Sequence, residues 1–176
     1  MKALQSVKNP VVQAARALDS ARERKRQNAF LLDGEHMVGE ALRACPQRVQ
    51  TLFVEEGRDY AALLALAQND VYTVPGHVLA AISQVKTSQG IAAVCTLPDS
   101  TPLEKMGNRL VLLENVQDPG NVGTVLRTLD AAGFDGCVLT PGCADPFGPK
   151  ALRATMGSVF RVPICQADSA CQAVEQ

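Results

Sequence analysis

Short apolar runs alternate along this chain with stretches whose apolar residues recur at helical spacing. Residues 10–27 read as one helix, with Val11, Val12, Ala15 and Leu18 on its apolar face and a charged stretch behind them. FLLD at 30–33 reads as a strand. Residues 34–44 follow as a helix carrying Met37, Val38, Ala41 and Leu42 on one side, and 49–54 is the next strand. An Ala/Leu-rich helix at 60–67, a strand at 71–74 ended by Pro75-Gly76, a short helix at 78–82 and a strand at 91–96 complete the first half. Four strands alternating with helices predict a small α/β domain over residues 1–97.

Residues 98–108, with two prolines, a glycine and few large apolar groups, read as a linker. The alternation then restarts in a second α/β domain, residues 109–176. RLVLLENV at 109–116 is a near-continuous apolar run, the pattern of a parallel strand buried on both faces. Asp118-Pro119-Gly120 reads as a turn. Val122, Val125, Leu126 and Leu129 repeat at helical spacing, with Asn121 placed as the N-cap and Gly133 as the stop. GCVLT at 136–140 is a strand, a loop follows, a helix is centred on 150–156, and FRVPI at 160–164 reads as extended.

Two polar constellations stand off this pattern. At 100° per residue, Arg127 falls far from the centre of the apolar stripe, with Thr124 on its side of the helix and Asn121 at the start. Glu114 and Asn115 close the preceding strand, at the crest where open α/β sheets bind ligands. Periodicity alone reads the same residues as an N-cap and a solvent-facing arginine. In the second constellation, 145–163, Pro146 and Pro149 flank Gly148, Lys150 and Arg153 share a helix face, and Gly157-Ser158 closes the helix. Two cations beside a hydroxyl and free backbone donors suit a phosphate-bearing ligand. The G-N-V-G spacing has neither a dinucleotide fingerprint nor a phosphate-loop lysine, which argues against a nucleotide enzyme.

Composition narrows the classes. With 47% hydrophobic and 20% charged residues, the 176-residue chain is neither disordered nor fibrous. No apolar run approaches the ~20 residues of a membrane span. The N-terminus has no apolar signal core, so the expectation is a cytoplasmic protein without membrane association. Tryptophan is absent and only two Tyr and five Phe occur, which disfavours recognition of bases on an aromatic platform. The six cysteines include no C-x-x-C pair, and only two histidines accompany them. They read as small hydrophobes in a reducing compartment, not as a disulfide framework or a metal site. The net charge of −1 is unevenly spread: residues 1–30 carry seven basic and two acidic residues, leaving a basic arm on an acidic body. Within it, Arg22, Arg24, Lys25 and Arg26 read equally as a polyanion contact and as a solvated helix face.

ENVQDPGNVGTVLRTLDAAG at 114–133 resembles the first motif of the SpoU/TrmH-type RNA ribose 2′-O-methyltransferases, and DPFGPKALRATMGSVFRVP at 145–163 resembles the second. FLLDGEHMVGEAL at 30–42 and VKTSQGIAAV at 85–94 are similar to that family's N-terminal substrate-binding domain, itself like ribosomal-protein-type RNA-binding modules. The resemblance implies a small N-terminal α/β RNA-binding domain and a SPOUT-type parallel-sheet domain with an α/β knot. It implies methyl transfer from S-adenosylmethionine to a ribose 2′-hydroxyl, in a homodimer when the protein is full length. Asn121 and Arg127 then map onto the catalytic positions, and Thr140, Pro141 and Gly142 onto the cofactor loop. Lys150, Arg153 and Ser158 become RNA contacts beside Arg22, Arg24, Lys25 and Arg26. Arginine is a poor base because its pKa exceeds ~12. Either RNA perturbs Arg127 or it holds phosphate and stabilises the developing alkoxide.

Ribosomal RNA is favoured as substrate over transfer RNA. The third motif, an Asn-Glu-Gly-type segment, is absent. The SPOUT-type domain is accordingly expected to be partial, with an incomplete cofactor pocket, an exposed sheet edge that favours self-association, and no methylation by the 176-residue chain alone. The rival expectation is a non-catalytic RNA-binding protein derived from the same family.

Overall fold

In the computed structural model, which describes residues 2–85 and 87–175 (backbone alone at 172, 174 and 175), the chain divides into two units, 1–97 and 98–176. The first holds a five-stranded sheet of β1 (Lys2–Ala3), β2 (Ala29–Asp33), β3 (Val49–Glu55), β4 (Asp70–Val74) and β5 (Ile91–Thr96), ordered β1-β4-β3-β5-β2. β4 pairs in parallel with β1 and β3, while β5 runs antiparallel to β3 and β2. β1, only two residues long, leaves no period to read in the sequence.

The apolar stripe of residues 10–27 folds as two helices, α1 (Pro10–Ala17) and α2 (Ala21–Gln27), not one. The break is at Ser20, whose extended backbone (φ −81°, ψ 130°) starts α2. Arg24 consolidates the corner: it is only 5% exposed, and its Nη1 donates to the carbonyls of Leu18 (2.9 Å) and Asp19 (2.8 Å). α3 (Glu35–Ala44) and α5 (Gly76–Ile82) form close to their expected bounds, but α4 is a single turn, Ala61–Leu64, with only Leu63 buried. Val12 and Ala15 of α1, its C-cap Leu18, and Val78, Leu79 and Ile82 of α5 join Leu31, Phe53, Tyr72 and Ala92 in one core cluster. Strand alternation turns Phe30, Leu32, Leu52 and Val54 to the other face, where α3 lies against β2 and β5.

The second unit has a parallel three-stranded sheet of β6 (Leu110–Leu113), β7 (Gly136–Leu139) and β8 (Ile164–Gln166), in that order. β7, in the centre, is buried throughout. β6 departs from its expected double burial: Leu110, Val111 and Leu112 are half-buried and only Leu113 is buried, because β6 lies at the sheet's edge. The outer edge of β8 is partly covered, since Thr101 N–H donates to Ile164 O (2.8 Å) and Gln166 N–H to the Ser100 hydroxyl (2.9 Å). α6 (Pro119–Ala131) buries Val122, Leu126 and Leu129, and α7 (Pro149–Thr155) packs along it. Gly123 permits that approach: a Cβ there would sit 2.5 Å from the Ala151 carbonyl oxygen and 2.6 Å from Ala154 Cβ. Extended chain is expected over 160–164, but Phe160 closes a 3-10 turn, Ser158–Phe160, and β8 starts only at Ile164; α8 (Ala170–Glu175) follows it. Four of the six cysteines are buried, Cys143 is half-buried, Cys171 is exposed, and all are free thiols. Burial raises Cys137 to about 12.

Candidate active site

Because β6 and β7 are parallel and paired Leu113 to Leu139, their carboxyl ends open side by side. The two chain segments leaving them are fastened together. Leu113 O accepts from Thr140 N–H (3.1 Å) and from the Cys143 thiol (3.1 Å). Asn115 N–H donates to the Thr140 hydroxyl (3.3 Å), Val116 N–H to Cys143 Sγ (3.4 Å), and Ala144 N–H to Val116 O (2.9 Å). Asn115 takes a left-handed conformation (φ 52°), and Gly142 lies against its carboxamide with a φ of 88° that a side chain would strain.

Beyond this clamp α6 begins. Its cap is Asp118, whose Oδ1 accepts Asn121 N–H at 3.0 Å, with Pro119 in the first helical position. Asn121 is therefore inside the first turn and not the N-cap the sequence suggested, which leaves its side chain exposed. Asp118 Oδ2 also pairs with Lys150 Nζ of α7 at 2.7 Å, and that hydrogen bond, ahead of Asn121 N–H, holds the Asp118 carboxyl below its ordinary range. The Thr124 hydroxyl turns back to Gly120 O (2.8 Å), so it serves the helix backbone. Arg127, one turn beyond Gly123, is exposed and has no hydrogen-bond or ion-pair partner among the described residues.

The other sequence candidates separate into available and engaged groups. Pro141 and Gly142 are exposed, whereas Thr140 is 7% exposed with its hydroxyl facing Asn115. Arg153 is exposed on α7. Ser158, expected beside Lys150 and Arg153 as a surface hydroxyl, is instead 3% exposed and hydrogen-bonds Asp130. Asp130 Oδ2 also receives Arg161 Nε (2.9 Å) and Nη2 (2.7 Å), and the Arg161 contact, first, depresses its carboxyl pKa. In the first unit Arg22 and Lys25 are exposed, Arg26 pairs with Glu23 (2.6 Å), and Arg24 is the buried corner residue described above. Among the described residues, no group of three or more His, Cys, Asp or Glu is placed to hold a metal ion, and no helix is long and apolar enough to cross a membrane.

Sequence reasoning missed the Asp118 cap, although Asp-Pro ahead of an apolar stripe is a helix-start signature. It also missed Cys143, whose hydrogen-bonding partners lie some thirty residues away in sequence and leave no local signal.

A parallel sheet with exposed polar groups gathered at the carboxyl ends of adjacent strands defines a ligand-binding α/β domain. Residues 108–176 match the SpoU rRNA Methylase family, and residues 9–93 match the MRM3-like substrate binding domain. The chain belongs to the SpoU rRNA methylase family. It is 39% identical over 166 residues to the 23S rRNA (guanosine(2553)-2′-O)-methyltransferase RlmP of Bacillus subtilis, covering 93% of this chain and 64% of that protein. It is 34% identical over 151 residues to human mitochondrial rRNA methyltransferase 3, covering 80% of this chain and 36% of the relative. Its fold superimposes on the AdoMet-bound rRNA methyltransferase from Sinorhizobium meliloti with a TM-score of 0.85 and 31% identity, over 99% of this chain and 67% of that one. The chain thus spans less than two thirds of the length of the first curated relatives, 64% and 62%.

Proposed function

We propose that this protein acts in S-adenosylmethionine-dependent 2′-O-methylation of ribosomal RNA, in the cytoplasm and as a homodimer. The observation that carries the reading is the pairing of an exposed Asn121 with an unpartnered Arg127 on α6, directly after the clamped carboxyl ends of β6 and β7. The likeness to a 23S rRNA 2′-O-methyltransferase supports the substrate, and the AdoMet-bound neighbour supports the cofactor. The exposed backbone of Pro141 and Gly142 fits as one wall for the adenosyl group. Thr140 shapes that wall from inside through its bond to Asn115. S-adenosylmethionine, when bound, supplies an electrophilic methyl group.

The residues of the chain orient the acceptor. The Arg127 guanidinium holds an RNA phosphate and offsets the negative charge that grows on the 2′-oxygen as its proton passes to solvent water. Asn121 contributes amide hydrogen bonds that fix the ribose in reacting geometry. Lys150, paired with Asp118, sets the α6 terminus against α7, while Arg153 on the same helix is open to RNA. The test is incubation of the protein at the full length of its relatives with S-adenosylmethionine and either ribosomal or transfer RNA, followed by mass spectrometry of the nucleosides. A 2′-O-methylated nucleoside in ribosomal RNA, lost in Arg127→Ala, is the expected result. Methylation of transfer RNA alone overturns the substrate assignment, and binding without methylation favours a non-catalytic RNA-binding protein. Sedimentation of the same samples reads the assembly.

A further inference from the structure

Arg127 makes no ion pair among the described residues, although a carboxylate stands beside it in the sequence. Within four positions of Arg127 the one acidic residue is Asp130, on the same helix. Side chains three apart on a helix are neighbours, so Asp130 lies within reach of the Arg127 guanidinium. Other arginines of this chain use that spacing. Arg26 pairs with Glu23 (2.6 Å), Arg43 with Glu40 (3.4 Å) and Arg58 with Glu55 (3.3 Å).

Asp130 differs from those acids because its carboxylate is already held. The 3-10 turn Ser158–Phe160 packs against α6, and Arg161 follows it, its backbone N–H donating to Ser158 O (3.0 Å). From there Arg161 Nε (2.9 Å) and Nη2 (2.7 Å) both donate to Asp130 Oδ2, and the buried Ser158 bonds the same carboxylate. Only 23% of the Asp130 side chain is left exposed. Two charge-assisted hydrogen bonds outweigh the single exposed contact that a helical neighbour makes. We propose that Arg161 is a positioning residue for the methyl transfer: by holding Asp130 it keeps the Arg127 guanidinium unpaired and open to the RNA phosphate. A released Asp130 would act twice, by drawing Arg127 into an ion pair and by repelling the phosphate that Arg127 holds. The inference rests on the reading of Arg127 as the RNA-facing arginine. It gives the 145–163 motif a task toward the 114–133 motif, distinct from contact with RNA.

The test has two arms. In nuclear magnetic resonance spectra of the 176-residue chain without RNA, the Arg127 Nε–H signal, identified by its loss in Arg127→Lys, should shift in Arg161→Ala. It should return to its parent position in Arg161→Ala/Asp130→Asn. In the protein at the full length of its relatives, Arg161→Ala should lower methylation of ribosomal RNA about two- to fivefold, the scale of one exposed ion pair. Adding Asp130→Asn should restore the rate. A purely structural role predicts no such recovery, because the second substitution replaces none of the lost hydrogen bonds. Ala131→Glu leaves Arg161 untouched and sets an unengaged carboxylate four positions from Arg127, at an exposed site. It should show the same loss. An unmoved Arg127 signal in Arg161→Ala, a loss of activity that Asp130→Asn does not restore, or a parent rate in Ala131→Glu overturns the proposal. Full methylation by Arg127→Ala overturns instead the reading of Arg127 itself, while its signal in the RNA-free chain still reports capture by Asp130.

Discussion

Arg24 and Arg26 of the first unit and Arg127 of the second meet opposite fates. In the most charged stretch of the first unit these two of the four cations are drawn into structure, while Arg22 and Lys25 stay exposed. Arg24 closes the corner between α1 and α2 from a buried position, and Arg26 is held by Glu23. In the second, the charge density is lower, yet Arg127 stands exposed without a partner on a helix whose other face is firmly buried. Local density of basic residues is thus a poor guide to which cation can meet a ligand. A guanidinium within reach of an open carboxylate or a helix-terminal carbonyl becomes structural, and one placed beyond such partners, or beside a carboxylate already held, remains available.

The largest expected effect separates the two kinds of arginine. Arg127→Ala should lower methylation by about a hundredfold or more, the scale of removing one electrostatic stabiliser of a developing oxyanion. Its thermal stability should stay within about 0.5 kcal/mol of the parent, as for ordinary surface substitutions. A large loss of stability with retained activity would place Arg127 with the structural arginines. Arg24→Ala should show the converse, a loss of about 1.5–3 kcal/mol in urea unfolding, because two carbonyls lose a charged donor at a buried site. A stability unchanged by that substitution would put Arg24 back among the RNA candidates.

Gly123→Ala tests the second unit's own packing. Its Cβ meets Ala151 O and Ala154 Cβ at 2.5 and 2.6 Å, so α6 and α7 must separate, with an expected loss of about 1–3 kcal/mol. Urea midpoints measure it, and an unchanged midpoint would show that the interface yields freely. The smallest effect concerns acid. Arg161 holds the folded Asp130 carboxyl below its ordinary value, so its contribution is fully present above the unfolded value near ~3.9 and is lost as pH falls through the lower folded one. Asp130→Asn should accordingly flatten the fall of stability with pH on the acid side of about pH 4. An identical acid profile would remove the Arg161–Asp130–Ser158 contact from the account.

Much of the fold was legible because period and burial coincide where both faces of an element are decided locally. The strands at 30–33, 49–54, 71–74 and 91–96 and the helix carrying Val122, Leu126 and Leu129 form close to where the pattern puts them. The failures share a cause. The apolar stripe ends at Leu18 and the charged stretch behind it carries no apolar period, so periodicity cannot register a turn that Ser20's backbone and Arg24's guanidinium make. The run at 109–116 is apolar enough for a central strand, but strand order leaves it at an edge.

For the candidate site, the sequence by itself determined the identity and helical phase of Asn121 and Arg127, because 100° per residue fixes their angle from the apolar stripe. It also determined the glycines and prolines that turn the 141–149 loop. Only the tertiary structure decided that Asp118 caps α6 and binds Lys150, that Ser158 turns inward to Asp130, and that Thr140 and Cys143 fasten the ends of β6 and β7. Each of these is a contact between residues some thirty positions apart, apart from the local Asp118 cap. Hydrogen bonds of that reach depend on which strands pair and how closely helices pack, and neither leaves a period in the chain.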